Sequence, residues 1–400
     1  MTNQDFILHN REKDPRSLAL KKAPEGVDFV WCLTQIEGWQ LARKKLPRWA
    51  ATDGLWFPPR LSMEQCSSEA TALYKKGIVD RLKAQSLVDL TGGFGVDFTY
   101  MAQGLQEVTY VERQEVLCQS AQHNFPILGL TKAKIVNGEA EDTLNNIEHT
   151  DVIFIDPARR DNAGRKTVAI EDCTPDVTEL QDMLLDKATY VIIKLSPMLD
   201  ITQALRSLHH VTEVHVVSHK GECKELLLVL HKEDKEDRVG SSESPALSYH
   251  CVNIETKDAP FIINSEAIHP PFKGGLNGLH LEGLLFEPNA SIMKAGLQDA
   301  FGAHYNLNKL HPQSNLFVGT EPIKDVPARQ FRIIAVSDFS KSGLKSITGG
   351  MKQANITVRN FPATVADLRK RLKLKDGGKD YLFATTISDG SHVLIKGEKI

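Results

Sequence analysis

From Ser68 to His231 the chain alternates short apolar runs with helical stretches, and that alternation restricts its fold more than any other feature. A helical stretch over Glu69–Lys83 leads into Leu87-Val88-Asp89-Leu90, a glycine turn, and a second helical stretch over Asp97–Gln103. Further strands are predicted at Val108–Val111, Lys134–Val136, Asp151–Ile155, Tyr190–Leu195 and Val211–Ser218. Helical stretches such as Gln114–Asn124 and Pro175–Leu185 separate most of them. Strands alternating with helices at this spacing form a mostly parallel sheet covered on both faces. The last run, Glu225–His231, follows Ser218 so closely that the connection favours a hairpin, and hence an antiparallel final strand. In open sheets of this kind ligands bind beyond the carboxyl ends of the strands. Those ends are therefore where chemistry is expected.

At 400 residues the chain exceeds one ordinary core, and two or three domains are expected. Residues 1–68 read as a helical region, 69–235 as the α/β sheet, 249–325 as a middle segment of short strands, and 326–400 as a small separate α/β module. The charged, then Ser/Pro-rich run from Lys232 to Ser248 reads as a linker or insertion. In the middle segment Asn289 is placed to cap a helix over Ala290–Phe301. In the last module a βαβαβ order is expected, with strands at Phe331–Val336, Ile356–Arg359 and Tyr381–Ile387. All four tryptophans (Trp31, Trp39, Trp49, Trp56) fall in the first region, interleaved with Arg43, Lys44, Lys45 and Arg48. A compact core and a base-stacking surface both fit that pattern.

The net charge of -3 hides an asymmetry: Lys324–Ile400 carries 15 Lys+Arg against 7 Asp+Glu, leaving 33 against 44 before it. A basic end on an acidic body points to a polyanionic partner, or else to a solvated basic face. No run of eighteen apolar residues offers a transmembrane helix, and Met1–Asp14 has no apolar signal core. Six scattered cysteines without a CxxC or Cys/His cluster suit a reducing cytoplasm and speak against a metal site or disulfide framework. His209-His210 and His215 lack partner spacing and read as surface or strand residues.

Three strand ends carry chemistry-bearing residues. At the first, Asp89 precedes Leu90-Thr91-Gly92-Gly93-Phe94-Gly95. Glycines there let backbone approach a ligand before a helix begins. Phe98 stands where a dinucleotide fingerprint needs its third glycine. An acid four residues before Gly93 suits a zwitterionic amino-acid ligand better than a pyrophosphate: Asp89 sits near the ammonium, and the helix start favours the carboxylate. At the second end, Glu112 lies 23 residues after Asp89, where a carboxylate can accept both hydroxyls of a ribose. Each such bond is worth about 1.5–3 kcal/mol. An exposed acid ahead of the next helix is the plainer alternative. After the third strand Glu139, Glu141 and Asp142 are available to an adenine amine, with Glu139 preferred.

The third chemistry-bearing loop is Asp156-Pro157-Ala158-Arg159-Arg160. Pro157 stiffens the loop, so that Asp156 and nearby carbonyls become fixed acceptors for an exocyclic amine. Catalysis there would be mainly positioning. Arg159 and Arg160 could grip phosphate or be surface charge. Upstream, Gln65, Ser67 and Ser68 are candidates to touch the ligand, although a helix N-cap explains either serine equally well. Lys194, at a strand end, is a candidate to face the substrate.

On these residues the region 69–231 resembles the class I S-adenosylmethionine-dependent methyltransferases. The resemblance implies a Rossmann-like, seven-stranded α/β sheet with a reversed last strand. Asp89–Gly95 matches that family's D-x-x-x-G-x-G motif, and Glu112 takes the place of its ribose acid. Asp156–Arg159 is similar to the D/N-P-P-x motif of amino-group methyltransferases, but Ala158 replaces the second proline and Arg159 the usual aromatic. The missing ring speaks against adenine-N6 methylation of DNA. The runs around Asp89 and Glu112, with Lys194-Leu195-Ser196-Pro197, resemble bacterial rRNA guanine-N2 methyltransferases.

The stretch from about 329 resembles the THUMP-like domain of uncharacterised bacterial methyltransferases, through Phe331–Ile334, Val358–Phe361 and Leu368–Leu372. Segment 276–320 resembles their ferredoxin-like domain. Together they imply S-adenosylmethionine as cofactor and RNA as partner, while the cysteine spacing and hydropathy leave no metal or membrane expected. Two alternatives stay open: an RNA-binding or assembly factor with a degenerate cofactor site, which Ala158 and Arg159 would permit, and a small-molecule methyltransferase.

Overall fold

The computed structural model describes residues 1–159, 169–232, 246–256, 258–268, 270 and 281–400. They form two compact units, one of Met1–Thr212 with Leu227–Ser242, the other of Glu213–Leu226 with Glu243–Ile400.

The expected sheet is present, and its first five strands lie in the first unit. Its strands are β1 (Ser86–Asp89), β2 (Glu107–Glu112), β3 (Lys134–Asn137), β4 (Thr150–Ile155) and β5 (Ala188–Leu195), followed by a hairpin of β6 (Val211–His219) and β7 (Glu222–His231). Their order is β3-β2-β1-β4-β5-β7-β6. Parallel pairing joins β1 to β2 and β4, β2 to β3, and β4 to β5. The hairpin turns on Lys220 and Gly221, which both have positive φ (57° and 71°). That is the two-residue turn whose twist matches antiparallel strands. The division between the units runs through this hairpin.

Sequence and structure agree on why these elements form. The helix Glu69–Arg81 starts where the Ser68 side chain accepts from the Thr71 N–H, with Glu69 in its first turn and Arg81 in its last. These are the signs that suit the helix dipole. Strands β4 and β5 are buried along most of their length, as strands covered on both faces must be.

The N-terminal helices pack one tryptophan into the core: Trp49 is 1% exposed and meets Phe94 edge-on at 5.0 Å. The other tryptophans are less enclosed. Trp39 donates its indole N–H to the Ala50 carbonyl, and Trp56 stacks on His123 at 4.0 Å. The tryptophan run is thus part core and part surface.

In the second unit β8 (Ser248–Asn253) pairs in parallel with β6, and β9 (Phe261–Asn264) pairs antiparallel with β8. A further sheet has the order β11-β12-β10-β13-β16-β15-β14. Its strands are β10 (Leu284–Pro288), β11 (Asn308–His311), β12 (Ser314–Gly319), β13 (Ala328–Asp338), β14 (Asn355–Arg359), β15 (Tyr381–Thr386) and β16 (His392–Lys399). The C-terminal module is not a free-standing βαβαβ unit. Its first strand, β13, pairs with both β10 and β16, so it shares one sheet with the segment before it. The single helix expected over Ala290–Phe301 is two, Ala290–Ala295 and Gln298–His304. Gly296, at φ 73°, ends the first in the left-handed conformation that glycine tolerates. Asn289 occupies the N-cap position without a side-chain capping bond; its amide donates instead to Asp258. The core of this sheet gathers around Phe331, which is fully buried against Tyr381 and Phe383.

Replacing Phe331 by Ala is expected to cost about 3–5 kcal/mol, measured as a fall in the urea midpoint. Arg332→Ala, exposed one residue along the same strand, should stay within about 0.5 kcal/mol.

Candidate functional site

One cleft of the first unit opens beyond the carboxyl ends of β1, β2, β4 and β5. Its lining includes Gln65, Asp89, Thr91, Gly93, Gly95, Glu112, Glu139, Asp156 and Lys194. Residues up to 129 apart in sequence are thereby brought to one surface.

The loop after β1 has its shape because each side chain that could fill it is absent or turned away. The Gly92 N–H donates to the Val111 carbonyl at 2.8 Å. A Cβ on Gly92 would sit 2.1 Å from the Tyr110 ring, and one on Gly95, at φ 80°, would sit 2.9 Å from the Phe125 ring. The Tyr110 hydroxyl in turn donates to the Gly93 carbonyl. A rigid glycine turn therefore lies against an aromatic floor.

Two carboxylates flank the turn. Asp89 is 1% exposed and its Oδ1 accepts from the Thr91 N–H at 3.0 Å. Burial pushes its carboxyl well above the ordinary value. Glu112, 7% exposed, accepts the Gly93 N–H at 2.9 Å on one oxygen and the Gln114 N–H at 2.8 Å on the other. Both oxygens are thus fixed, and each keeps acceptor capacity for a ligand.

On the other side lies an ionic chain absent from the sequence reading. Lys194 Nζ donates to Asp156 Oδ2 at 2.7 Å, to Asp97 Oδ2 at 3.2 Å and to the Ser67 hydroxyl oxygen at 3.1 Å. Ser67 in turn donates to Asp97 at 2.6 Å. Lys75, on the helix Glu69–Arg81 and fully buried, pairs with Asp97 at 3.2 Å. Burial alone would raise the Asp97 carboxyl, but the two ammonium groups outweigh it and hold the group below its ordinary value. The Thr91 hydroxyl accepts the Asp156 N–H at 2.6 Å and so links the glycine turn to the loop after β4.

Some expected residues lie elsewhere. Ser68 does not line the cleft: its hydroxyl caps the helix, and Ser67 is the serine on the cleft wall. Pro157 is buried and does not line it either. Arg159 is described through its backbone, which pairs with Cys173; Arg160 lies outside the described residues. Sequence reading missed Lys75 because a lone lysine on a helix face carries no pattern. Asp97 stands in the sequence only as the start of the helical stretch after the glycine turn.

Comparison with known proteins agrees with this architecture. Residues 284–327 match a ferredoxin-like domain family and residues 328–399 a THUMP domain-like family. Two Mycobacterium tuberculosis proteins, from strains CDC 1551 and H37Rv, are each 23% identical over 84% of this chain and 86% of their own. Both are named uncharacterized S-adenosylmethionine-dependent methyltransferases. A crystal structure of a candidate methyltransferase from Porphyromonas gingivalis W83 is 33% identical, covers 99% of this chain and 97% of its own, and superposes with a TM-score of 0.85.

Lys75→Met should destabilise the protein by about 3–5 kcal/mol, since it leaves Asp97 buried with one cation fewer. Because the Asp97 carboxyl is held below its unfolded value, its contribution is full above about pH 3.9 and is lost as pH falls through the lowered folded value. Acid unfolding followed by circular dichroism should lose that component in Asp97→Asn.

With the sheet order, the cleft and these likenesses together, the chain belongs to the family of class I S-adenosylmethionine-dependent methyltransferases that carry ferredoxin-like and THUMP-like segments.

Proposed function

We propose that the protein transfers a methyl group from S-adenosylmethionine to a base amino group in RNA, rRNA or tRNA, in the cytoplasm. The observation that supports the cofactor half is the donor set: two buried carboxylates, Asp89 and Glu112, on either side of a turn that only glycine fits. Glu112 would take both ribose hydroxyls on its two fixed oxygens. Asp89 would face the ammonium, Glu139 the adenine amine, and Gln65 the methionine end, with Thr91, Gly93 and Gly95 forming the wall.

When bound, S-adenosylmethionine supplies an electrophilic sulfonium methyl. Asp156, about 39% exposed at its side chain, accepts an N–H of the incoming amine and turns its lone pair toward that methyl. Lys194 holds the Asp156 carboxylate in place through its hydrogen bond, and Pro157 stiffens the loop that carries it. Once the amine becomes cationic, Asp156 would accept the proton it sheds. Arg159 and Arg160 are assigned to substrate phosphate.

The RNA half is supported by the THUMP-like match and by the exposed cations of that segment, among them Lys341, Lys345, Lys370, Lys373, Lys375 and Lys379. Not every cation there is available. Arg329 and Arg359 clamp the buried Glu287, and Arg369 pairs with Asp376. A four-part division at 1–68, 69–235, 249–325 and 326–400 accompanies this reading, with the last part presenting RNA.

Calorimetry tests the cofactor half: Glu112→Ala should weaken S-adenosylmethionine binding by about 10- to 100-fold, the loss of charge-assisted bonds worth about 1.5–3 kcal/mol. Since burial raises the Asp89 carboxyl, an ammonium brought beside it displaces a proton wherever Asp89 is protonated in the free protein. Affinity should therefore rise with pH through that group's titration, and Asp89→Asn should lose the trend. For the RNA half, label from methyl-labelled cofactor should appear in total RNA and vanish with Asp156→Ala. Label on a metabolite or protein but not on RNA defeats the RNA assignment and leaves the cofactor assignment standing.

A further inference from the structure

In the second unit, three side chains able to hold a metal ion share one face of the ladder between β6 and β8, and the proposed reaction uses none of them. Glu213 and His215 stand two apart on β6, and strand alternation puts them on the same face. His250 lies directly opposite His215 in the parallel register. One donor atom from each of the three can be chosen so that all lie within 4.8 Å of one another.

The surroundings are built rather than incidental. His215 is 2% exposed, and its Nε2 is 2.7 Å from Glu213 Oε2. The two imidazoles stack with ring centres 4.4 Å apart and 21° between planes. The Ser248 hydroxyl lies 3.0 Å from His250 Nε2, which helps orient the second ring. The ring planes are close to parallel, so the less buried His250 has to turn before both nitrogen lone pairs meet at one ion beside the Glu213 carboxylate.

We propose that Glu213, His215 and His250 form a three-ligand site for a divalent transition metal of the zinc class. The donor types select the metal. Two imidazoles and one carboxylate suit zinc, nickel or copper and leave one coordination position open. Magnesium and calcium prefer all-oxygen sites. The proton shared by His215 and Glu213 occupies the metal's place and is released when the metal enters. A bound ion would cross-link β6 to β8. Spacing along the chain does not reveal this cluster, because His215 and His250 lie 35 residues apart and meet only through strand pairing.

Tag-free, full-length protein, stripped with a chelator, is titrated with Zn2+ by calorimetry and with Co2+ by visible absorption. One equivalent of Zn2+ should bind with proton release, and Co2+ should develop d–d bands. Glu213→Gln and His250→Ala, which spare the buried ring of His215, should each weaken Zn2+ by about 100-fold. His209→Ala should leave it unchanged, and millimolar Mg2+ should not compete. If His250→Ala and Glu213→Gln, both folded by circular dichroism, take up Zn2+ as tightly as the parent, the uptake is adventitious and the site does not exist. Absence of Zn2+ uptake by the parent protein overturns the proposal equally.

Discussion

The buried carboxylate of Asp97 is the constraint on which the candidate site depends. Largely enclosed, it is tolerable because Lys75 and Lys194 approach it from two different elements and Ser67 from a third. The segment before the sheet, the helix after the glycine turn and the end of β5 are thereby tied to one point. Removing any partner leaves charge in a place with little water, so the geometry of the cleft and the stability of the fold rest on the same bonds. Lys194 carries this restraint outward to Asp156, where the cleft opens to solvent.

A second layer of support is apolar. Phe94, within the glycine turn, packs against Trp49 and Phe57 of the N-terminal region, while Tyr110 and Phe125 fill the space beneath Gly92 and Gly95. The N-terminal helices are therefore part of the pocket's wall rather than an appendage. Their aromatics enclose Phe94, the one large side chain of a turn otherwise made of glycine and threonine.

Much of this could be read before any coordinates. The alternation from Ser68 onward named the sheet, and the short step from Ser218 to Glu225 named the hairpin, because periodicity and connection length are local properties. Asp89, Glu112, Asp156 and Lys194 were singled out at strand ends, and they do line one cleft. What stayed hidden depends on distant contacts. Lys75 looks like any surface lysine until the fold buries it. Ser67 and Ser68 could not be told apart until one capped the helix and the other turned inward. The last strand, His392–Lys399, was missed, and with it the shared sheet, because β13 finds partners on both sides only in three dimensions. Gly296, which splits the helix after Asn289, was legible in principle as a left-handed stop.

The hydroxyl of Thr91 has a consequence for how the two halves of the cleft behave. It accepts the amide of Asp156, so the glycine turn and the loop after β4 share a hydrogen bond. Any occupant that pulls the first out of shape must do work on the second, and the reverse holds to the same degree. Two ligands meeting across such a hinge bind as neighbours that sense each other, not as strangers to a common surface.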